Sequence, residues 1–567
     1  MPESTVEFEL KFLVPRGGRS AVRAALGERG ATLETRHLVA RYFDTADRRL
    51  ARAGMSLRLR REGRRWMQTL KAGREGSLAR FEHEVLRPDA TVDAAAHAGT
   101  SAGDRLAQLL ADGEPLQQRY GSDIRRTLRR LRTRGTAVEL AFDEGRIDAD
   151  HRVLRVCELE FELLSGSPAA MLALAERWRA RLGLVVDPRS KAERGDALAD
   201  GRSPAAPRKA MPVALRRKVD VADAWRAVLD ECLAQILGNA VGLAVPVGVE
   251  SVAASGRHAG RGVAEPAPTP AVDRADLVHQ LRIGLRRLRS ALRLFRGWVA
   301  PPPEAIEAGA RELFRALGAT RDQDVLAQAI EPALRRAGAP AQREPASTPA
   351  GEMPAAAEAP TPATAPMPAA APTSAATSST PPRSAASRQS DDLLALITAD
   401  PTQRYLLALV DWRSGLDVEP PTPGAGVEAG APASAPPPVA VLAKRRLARW
   451  QRAIGDQASR FAQLDDASRH ALRKRAKRLR YAGEFVESLF PGREMRRFLR
   501  RLQAVQQALG ELSDLALAAQ RYGQAAGTDR RAWFALGWVS ARRDAVVAQA
   551  AEALAALAER HPFGGKR

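Results

Sequence analysis

Cysteine is nearly absent from this chain of 567 residues: it has only Cys157 and Cys232, and no C-x-x-C pair. A disulfide framework and a zinc site are therefore not expected, and a reducing, cytoplasmic compartment fits. Aromatic residues make up only 5% of the chain. Few stand among the basic residues, which argues against a surface that stacks nucleic-acid bases. There is no run of about 18 apolar residues, so no transmembrane helix and no membrane partner are expected. A strand-like pattern begins by residue 6 with no apolar stretch before it, so no signal peptide is expected. No Walker A sequence occurs, and Gly17-Gly18 and Gly73 read as turns. No Ser/His/Asp or Cys/His arrangement stands out as a nucleophile. Acidic residues lag basic ones, 66 against 88, giving a net charge of +22. That excess points to a polyanionic partner: nucleic acid, acidic lipid or polyphosphate.

The texture of the chain changes once. Residues 1–200 read as α+β, with short antiparallel strands, few helices and Gly-containing turns. Strands are expected at 38–44, 55–61, 65–71, 80–86, 136–143, 146–149 and 153–163, and helices at 20–29, 103–113 and 168–182. Many antiparallel strands with few helices suit a barrel. Residues 201–212, rich in Pro and Ala, read as a linker. Residues 213–560 read as helical, with helices at 219–241, 274–298, 303–318, 391–412, 441–461, 465–489, 493–513, 514–524 and 529–560. Tracts at 338–390 and 418–438, rich in Ala, Pro, Ser and Thr, are expected to be disordered insertions.

The strongest local signal is Glu7-Phe8-Glu9-Leu10-Lys11, where charged and apolar residues alternate. On a strand this places Glu7, Glu9 and Lys11 on one face and Phe8 and Leu10 on the other. The pattern recurs around Arg58 and Arg60, around Arg80, Glu82 and Glu84, and around Glu158, Glu160 and Glu162. One such strand is ordinarily a solvated face. Four together fit a closed barrel whose interior is charged, and such an interior is costly unless ions or ligands fill it. Carboxylates at i, i+2 suit Mg²⁺ or Mn²⁺, with Glu7, Glu9, Glu158, Glu160 and Asp143 as candidate ligands. Lys11, Arg58, Arg60, Lys71 and Lys191 are candidate cations for phosphate oxygens. One of Arg125 and Arg126 joins them, since neighbours on a strand face opposite ways.

The helical half carries an internal repeat. His279, Arg282, Arg286 and Arg289 lie at offsets that share a helix face, and His470, Arg473, Lys477 and Arg480 repeat the block 191 residues later. Leu317-Gly318 with Asp322 matches Leu509-Gly510 with Asp514 at an offset of 192. Two copies of one helical unit are expected, and their basic stripes side by side would form a groove for a linear polyanion.

These residues also carry two family resemblances. Glu7-x-Glu9-x-Lys11 resembles the ExExK signature of the CYTH superfamily, the triphosphate tunnel metalloenzymes. Tyr42-Phe43-Asp44-Thr45, Arg58-Leu59-Arg60, Thr69-Leu70-Lys71, Glu82-His83-Glu84, Glu158–Glu162 and Ser190-Lys191 with Arg194 extend it. The resemblance implies an eight-stranded antiparallel tunnel that binds triphosphates through a divalent metal. Glu7, Glu9 and Lys11 would then carry turnover, with Glu7, Glu9, Asp143, Glu158 and Glu160 as metal ligands. Lys11, Arg58, Arg60, Lys71, Arg126 and Lys191 would hold phosphate oxygens. One departure is Arg129, which stands where the family often has Trp. The His-containing helical blocks resemble the CHAD domain, which implies binding of inorganic polyphosphate and its granules through His279, Arg282, Arg286, Arg289, His470, Arg473, Lys477 and Arg480. The combined expectation is a metal-dependent inorganic triphosphatase releasing pyrophosphate and phosphate. Its rivals are a tunnel enzyme for thiamine triphosphate or for ATP as a cyclase, and a non-catalytic polyphosphate-granule protein. Phosphate contacts alone do not separate polyphosphate from nucleic acid.

Overall fold

The computed structural model describes residues 5–73, 79–133, 135–245, 273–318, 326–340, 385–418, 437–527 and 529–559. Residues 5–199 form an antiparallel sheet with a few short helices. The order along the chain is β1 (Thr5–Leu13), α1 (Arg19–Gly27), β2 (Glu34–Asp44), α2 (Arg49–Arg52), β3 (Met55–Glu62), β4 (Arg65–Ala72), β5 (Ala79–Arg87) and α3 (Ser101–Leu109). Then come β6 (Gln117–Thr133), β7 (Thr136–Ala149), β8 (Arg152–Ser165), α4 (Pro168–Leu182), β9 (Val185–Val186) and α5 (Lys191–Ala199). The sheet runs β5-β4-β3-β2-β6-β7-β8-β1-β9, and β5 pairs back onto β1. β1 manages this by dividing its partners: Thr5–Phe8 pair with β5 and Glu9–Leu13 with β8. The ring therefore closes through β1. The sheet has nine strands, not the expected eight. The ninth is only two residues long and adds to β1 beside Phe12 and Leu13.

Closure gives every strand an inside and an outside. On β3, Leu57 and Leu59 are fully buried on the outer face while Arg58 and Arg60 point inward. On β1, Leu10 and Phe12 face outward into a core with Val22 and Leu26 of α1 and Met171 of α4. Phe12 meets Phe161 of β8 edge-to-face at 5.6 Å. α4 begins with Pro168 and stops at Gly183, which adopts φ +63°, the left-handed conformation that ends helices. β6, at 17 residues, is the longest strand, yet it is missing from the expected strands. Its run of arginines shows little strand propensity, and its place is fixed by pairing with β2 and β7.

The rest of the described chain is helical: α6 (Val221–Ala244), α7 (Arg274–Phe295), α8 (Glu304–Ala316), α9 (Glu331–Arg336), α10 (Ala385–Thr398), α11 (Asp400–Val418), α12 (Val439–Ala458), α13 (Asp466–Phe485), α14 (Gly492–Ala525) and α15 (Arg530–Ala558). Three expectations change. The helix read at 391–412 is two helices, α10 and α11, parted at Ala399 just before Asp400-Pro401. The insertion read at 338–390 ends earlier, because α10 starts at Ala385; residues 341–384 and 419–436 lie outside the described residues. The two helices read at 493–524 are one, α14. α6 is long and apolar enough to cross a membrane by length and composition, and here it is buried within the helical half.

The two halves share one core, which runs from Phe142 and Phe161 of the sheet to Trp225, Leu285 and Leu479 of the helices. Polar contacts fix the join. Arg179 of α4, 2% exposed, binds Glu176 at 2.6 Å and Asp400 of α11 at 2.5 Å. Gln403 of α11, also buried, accepts from the Val186 amide at 2.9 Å and donates to Ile397 O at 2.8 Å. The substitution Gln403→Leu strands the Val186 N–H without an acceptor. It is expected to cost about 1–3 kcal/mol, read as a lower urea midpoint of the full chain. An unchanged midpoint would mean that β9 finds another partner.

Candidate active site

The inward residues of the ring are apolar at one end and charged beyond it. Leu38, Ala40, Tyr42, Tyr120, Ile124, Ile147, Ala149 and Val156 pack under Leu198 of α5. Tyr42 stacks on Tyr120 at 4.7 Å, and the Tyr120 hydroxyl donates to Ala192 O at 3.0 Å. Gly195 of α5 has to be glycine, because a Cβ there would lie 2.3 Å from the Tyr120 ring. Four residues along β7 from Ile147 the interior changes to Asp143, and the charged region begins.

Three carboxylates meet there. Asp143, Glu158 and Glu160 are buried, and each offers an oxygen within 4.8 Å of the others. Lys191, the first residue of α5, inserts its ammonium among them, 2.6 Å from Asp143 and 2.9 Å from Glu160, and it also contacts Glu158. Arg126 grips Asp143 with two bonds of 2.7 Å and reaches Glu160 at 2.5 Å. Lys11 bridges Glu9 at 2.6 Å and Glu160 at 3.2 Å. Across the ring, Lys71 pairs with Glu82 at 2.8 Å, Arg58 with Glu82 at 3.4 Å and Arg60 with Glu84 at 3.4 Å.

Burial and ion pairing compete over these protons. Burial favours a neutral Asp143, but Lys191 and Arg126 overcome it and hold the carboxyl below its ordinary range. Glu160 is held well below for the same reason, against burial, by Lys11, Lys191 and Arg126. Lys191 and Arg126 are raised in turn despite their burial. Arg60 goes the other way, lowered by burial and by Arg58.

The candidates divide as follows. Glu9, Lys11, Arg58, Arg60, Lys71, Arg126, Asp143, Glu160 and Lys191 all line one cavity of about 1370 Å³. Arg126 faces inward and Arg125 is exposed outside, which resolves that pair. Of the five proposed metal ligands, Asp143, Glu158 and Glu160 come together. Glu9 is set slightly apart, bound to Lys11, and the Glu7 side chain lies outside the described residues. Arg129, the departure from the family pattern, turns outward and donates to Ala25 O at 2.7 Å and Leu26 O at 3.0 Å, capping the end of α1. Arg194 was not among the candidate site residues. It is buried against Glu158, and its signal was its spacing of three from Lys191, which puts both on one face of α5.

In the helical half, α7 and α13 pack together, with Arg287 over the Phe485 ring at 5.0 Å. Arg282 and Arg286 lie over the Phe314 ring at 4.3 and 4.8 Å. Lys477, half-buried, is pushed down to about 6 by burial and by Arg286, Arg473 and Arg282, which outweigh Asp514. His470, exposed, is lowered by desolvation and by Lys474, Arg473, Lys477 and Arg286. A Cβ on Gly318 would lie 3.5 Å from Arg282, and one on Gly510 would lie 3.7 Å from Arg473. Arg480 instead bonds Glu484 at 2.7 Å and Gln506 at 3.0 Å, and Arg289 sits beside Arg293 and Arg311. The side chain of Asp322 lies outside the described residues.

The CYTH domain model matches residues 5–195, and the CHAD domain model matches residues 265–523. Among curated proteins, the inorganic triphosphatase of Haemophilus influenzae is 29% identical over 155 residues, 27% of this chain and 44% of the relative. The chain thus spans under half the length of that relative. Among solved structures, the CHAD domain from the plant Ricinus communis is 23% identical with a TM-score of 0.41, covering 63% of this chain and 98% of that one. A putative adenylyl cyclase from Hippeastrum, described as having a dominant triphosphatase activity, is 18% identical with a TM-score of 0.27, covering 34% and 95%.

Replacing Arg126 by Met leaves Asp143 and Glu160 buried with less counter-charge. A loss of about 3–5 kcal/mol is expected at pH 7. Both carboxyls have lowered values in the folded chain, so their contribution is present above the ordinary carboxylate range and fades as pH falls. In the variant these groups keep less counter-charge and protonate at higher pH than in wild type, so the gap should narrow as pH falls from 7 to 4, into the ordinary carboxylate range. Thermal midpoints at the two pH values check this. A gap that does not change with pH would mean that Arg126 acts through packing.

Proposed function

We propose that this chain, which joins a CYTH domain to a CHAD domain, is a metal-dependent triphosphatase that splits inorganic triphosphate into pyrophosphate and phosphate. The observation that carries the reading is the closed ring with cations and carboxylates facing one cavity. Lys11, Arg58, Arg60, Lys71, Arg126 and Lys191 are placed to neutralise phosphate oxygens as charge shifts toward the leaving pyrophosphate. The carboxylates roughly balance these cations, so a triphosphate entering alone meets little net positive charge. Asp143, Glu158 and Glu160, with Glu9 nearby, form an all-oxygen donor set that fits a hard divalent ion such as Mg²⁺ or Mn²⁺. When bound, that ion would supply the missing positive charge and polarise the terminal phosphoryl group. Glu9, held by Lys11, is the carboxylate set apart from the cluster and the one we assign to orient water and take its proton. The water oxygen bonds to the terminal phosphorus as the bridging P–O bond breaks.

The first test is phosphate release by the purified protein from inorganic triphosphate, ATP and thiamine triphosphate, with Mg²⁺, with Mn²⁺ and with chelator. Chelator is expected to abolish release, inorganic triphosphate to be fastest, and Lys11→Met to lower kcat by about 10²–10³-fold. Release fastest from thiamine triphosphate, or cyclic product from ATP, would move the assignment to an organic triphosphate.

The helical half, on the same reading, binds inorganic polyphosphate along α7 and α13 and keeps the enzyme where polyphosphate accumulates in the cytoplasm. The matching position of each Gly beside the Arg of its own block supports two copies of one unit. Lys477 has a lowered value in the free protein and is largely neutral at pH 8. A bound polyanion raises that value, so binding at pH 8 is expected to take up a proton. Calorimetry in buffers of different ionisation enthalpy reads this uptake, and Lys477→Met should remove it. No uptake in wild type would place the polyanion away from Lys477.

A further inference from the structure

The tunnel cavity continues past the rim of the ring. Its lining includes Ser203, Pro204, Ala206, Pro207, Arg208, Lys209 and Met211, from the segment between α5 and α6. This segment, expected to be a linker, is pinned on both sides. On the tunnel side, Arg189 donates to Pro204 O at 2.9 Å. On the helical side, buried Asn239 of α6 accepts from the Arg208 amide at 3.0 Å and donates to Arg208 O at 2.9 Å. Glu231 of α6 binds the Arg208 guanidinium at 3.2 Å and the Met211 amide at 2.6 Å. Arg208 also packs against Gly238, where a Cβ would lie 3.1 Å from its Cδ. Residues 203–211 are thus a strap held at a fixed place across the mouth, without helix or strand of their own.

The strap brings charge of one sign. Arg208 is held in place by Glu231, and Lys209 next to it is exposed and lines the cavity. None of the strap residues is aromatic. The cavity, at about 1370 Å³, is larger than the ~300–1,000 Å³ that encloses a drug-sized ligand. Three phosphates on the inner cations leave the outer part unfilled. A cationic surface with no stacking platform suits further phosphates better than a base or a ring.

We propose that the strap is an outer phosphate subsite. It binds the units beyond the third in a linear inorganic phosphate chain whose end lies on the inner cations. Lys209 is the contacting group, and Arg208 positions it. The inference rests on the triphosphatase reading and names its substrate class: linear phosphate chains of four or more units.

The test compares wild type, Lys209→Glu and Lys209→Arg in the full chain, with Lys444→Glu as a charge reversal on exposed α12. Tripolyphosphate and tetrapolyphosphate are the probes. Two readouts are taken: kcat/KM for phosphate release, and calorimetric binding to the same variants made in a Glu9→Gln background. Lys209→Glu is expected to lower the tetraphosphate-to-triphosphate ratio of both readouts by about threefold to tenfold. Lys209→Arg should restore it, and Lys444→Glu should leave the ratio at the wild-type value. An unchanged ratio in Lys209→Glu, or an equal drop in Lys444→Glu, overturns the subsite. If wild type releases no phosphate but tetraphosphate binding still depends on Lys209, the hydrolase reading fails and the subsite stands.

Discussion

The ammonium of Lys191 among three buried carboxylates is the contact on which the tunnel depends. Burying Asp143, Glu158 and Glu160 unpaired would be prohibitive, and none of the three can turn away, because the strand alternation that aims them inward also buries their neighbours. Arg126 and Lys11 of the ring counter part of this charge, and Lys191 adds its ammonium from outside the ring. It does so as the first residue of α5, an unfavourable end of the helix dipole for a cation. The local chain offsets that. Ser190 and Glu193 form a capping box at the helix start. Asp187, fully enclosed, is clasped by Arg189 at 2.7 Å, and its amide donates to Lys11 O at 3.0 Å. The short β9 leads directly into this segment, so its pairing with β1 sets where Lys191 begins.

The two halves present different charge regimes. In the tunnel, cations and carboxylates compensate each other, so each ion pair must open before phosphate can take its place. Such a site suits a ligand that arrives with a cation of its own and is held briefly in a fixed geometry. On α7 and α13 cations crowd one another, and around Lys477 the charges of Arg286, Arg473 and Arg282 outweigh that of Asp514. Lys477 is pushed down to about 6 by burial and by its cationic neighbours, a state that added negative charge would relieve.

The tunnel was legible in the sequence because period-2 alternation is a local property. Glu9, Lys11, Arg58, Arg60 and Glu160 all follow from it. The choice of Arg126 over Arg125 did not, since both sit in one arginine run. It follows from register, which sets Arg126 opposite Asp143. β6 escaped notice because its arginines mask a strand, and β9 because two residues carry no pattern. The fixed placing of the segment at 203–211 was not legible for a similar reason. Pro and Ala composition says that a segment makes no helix or strand, but not whether Asn239 or Glu231 waits to hold it.

Long-range polar partners are what sequence periodicity cannot show, and here they join the halves. Arg179 reads locally as the partner of Glu176, three residues away, yet it also holds Asp400, 221 residues away. Gln403 reads as one polar residue on an otherwise ordinary helix, yet it supplies the acceptor for β9. Through β9 and the strap, elements of the helical half set both the start of α5 and the mouth of the cavity. The ring supplies the charges, but their final positions are fixed by groups that belong to the other half of the chain.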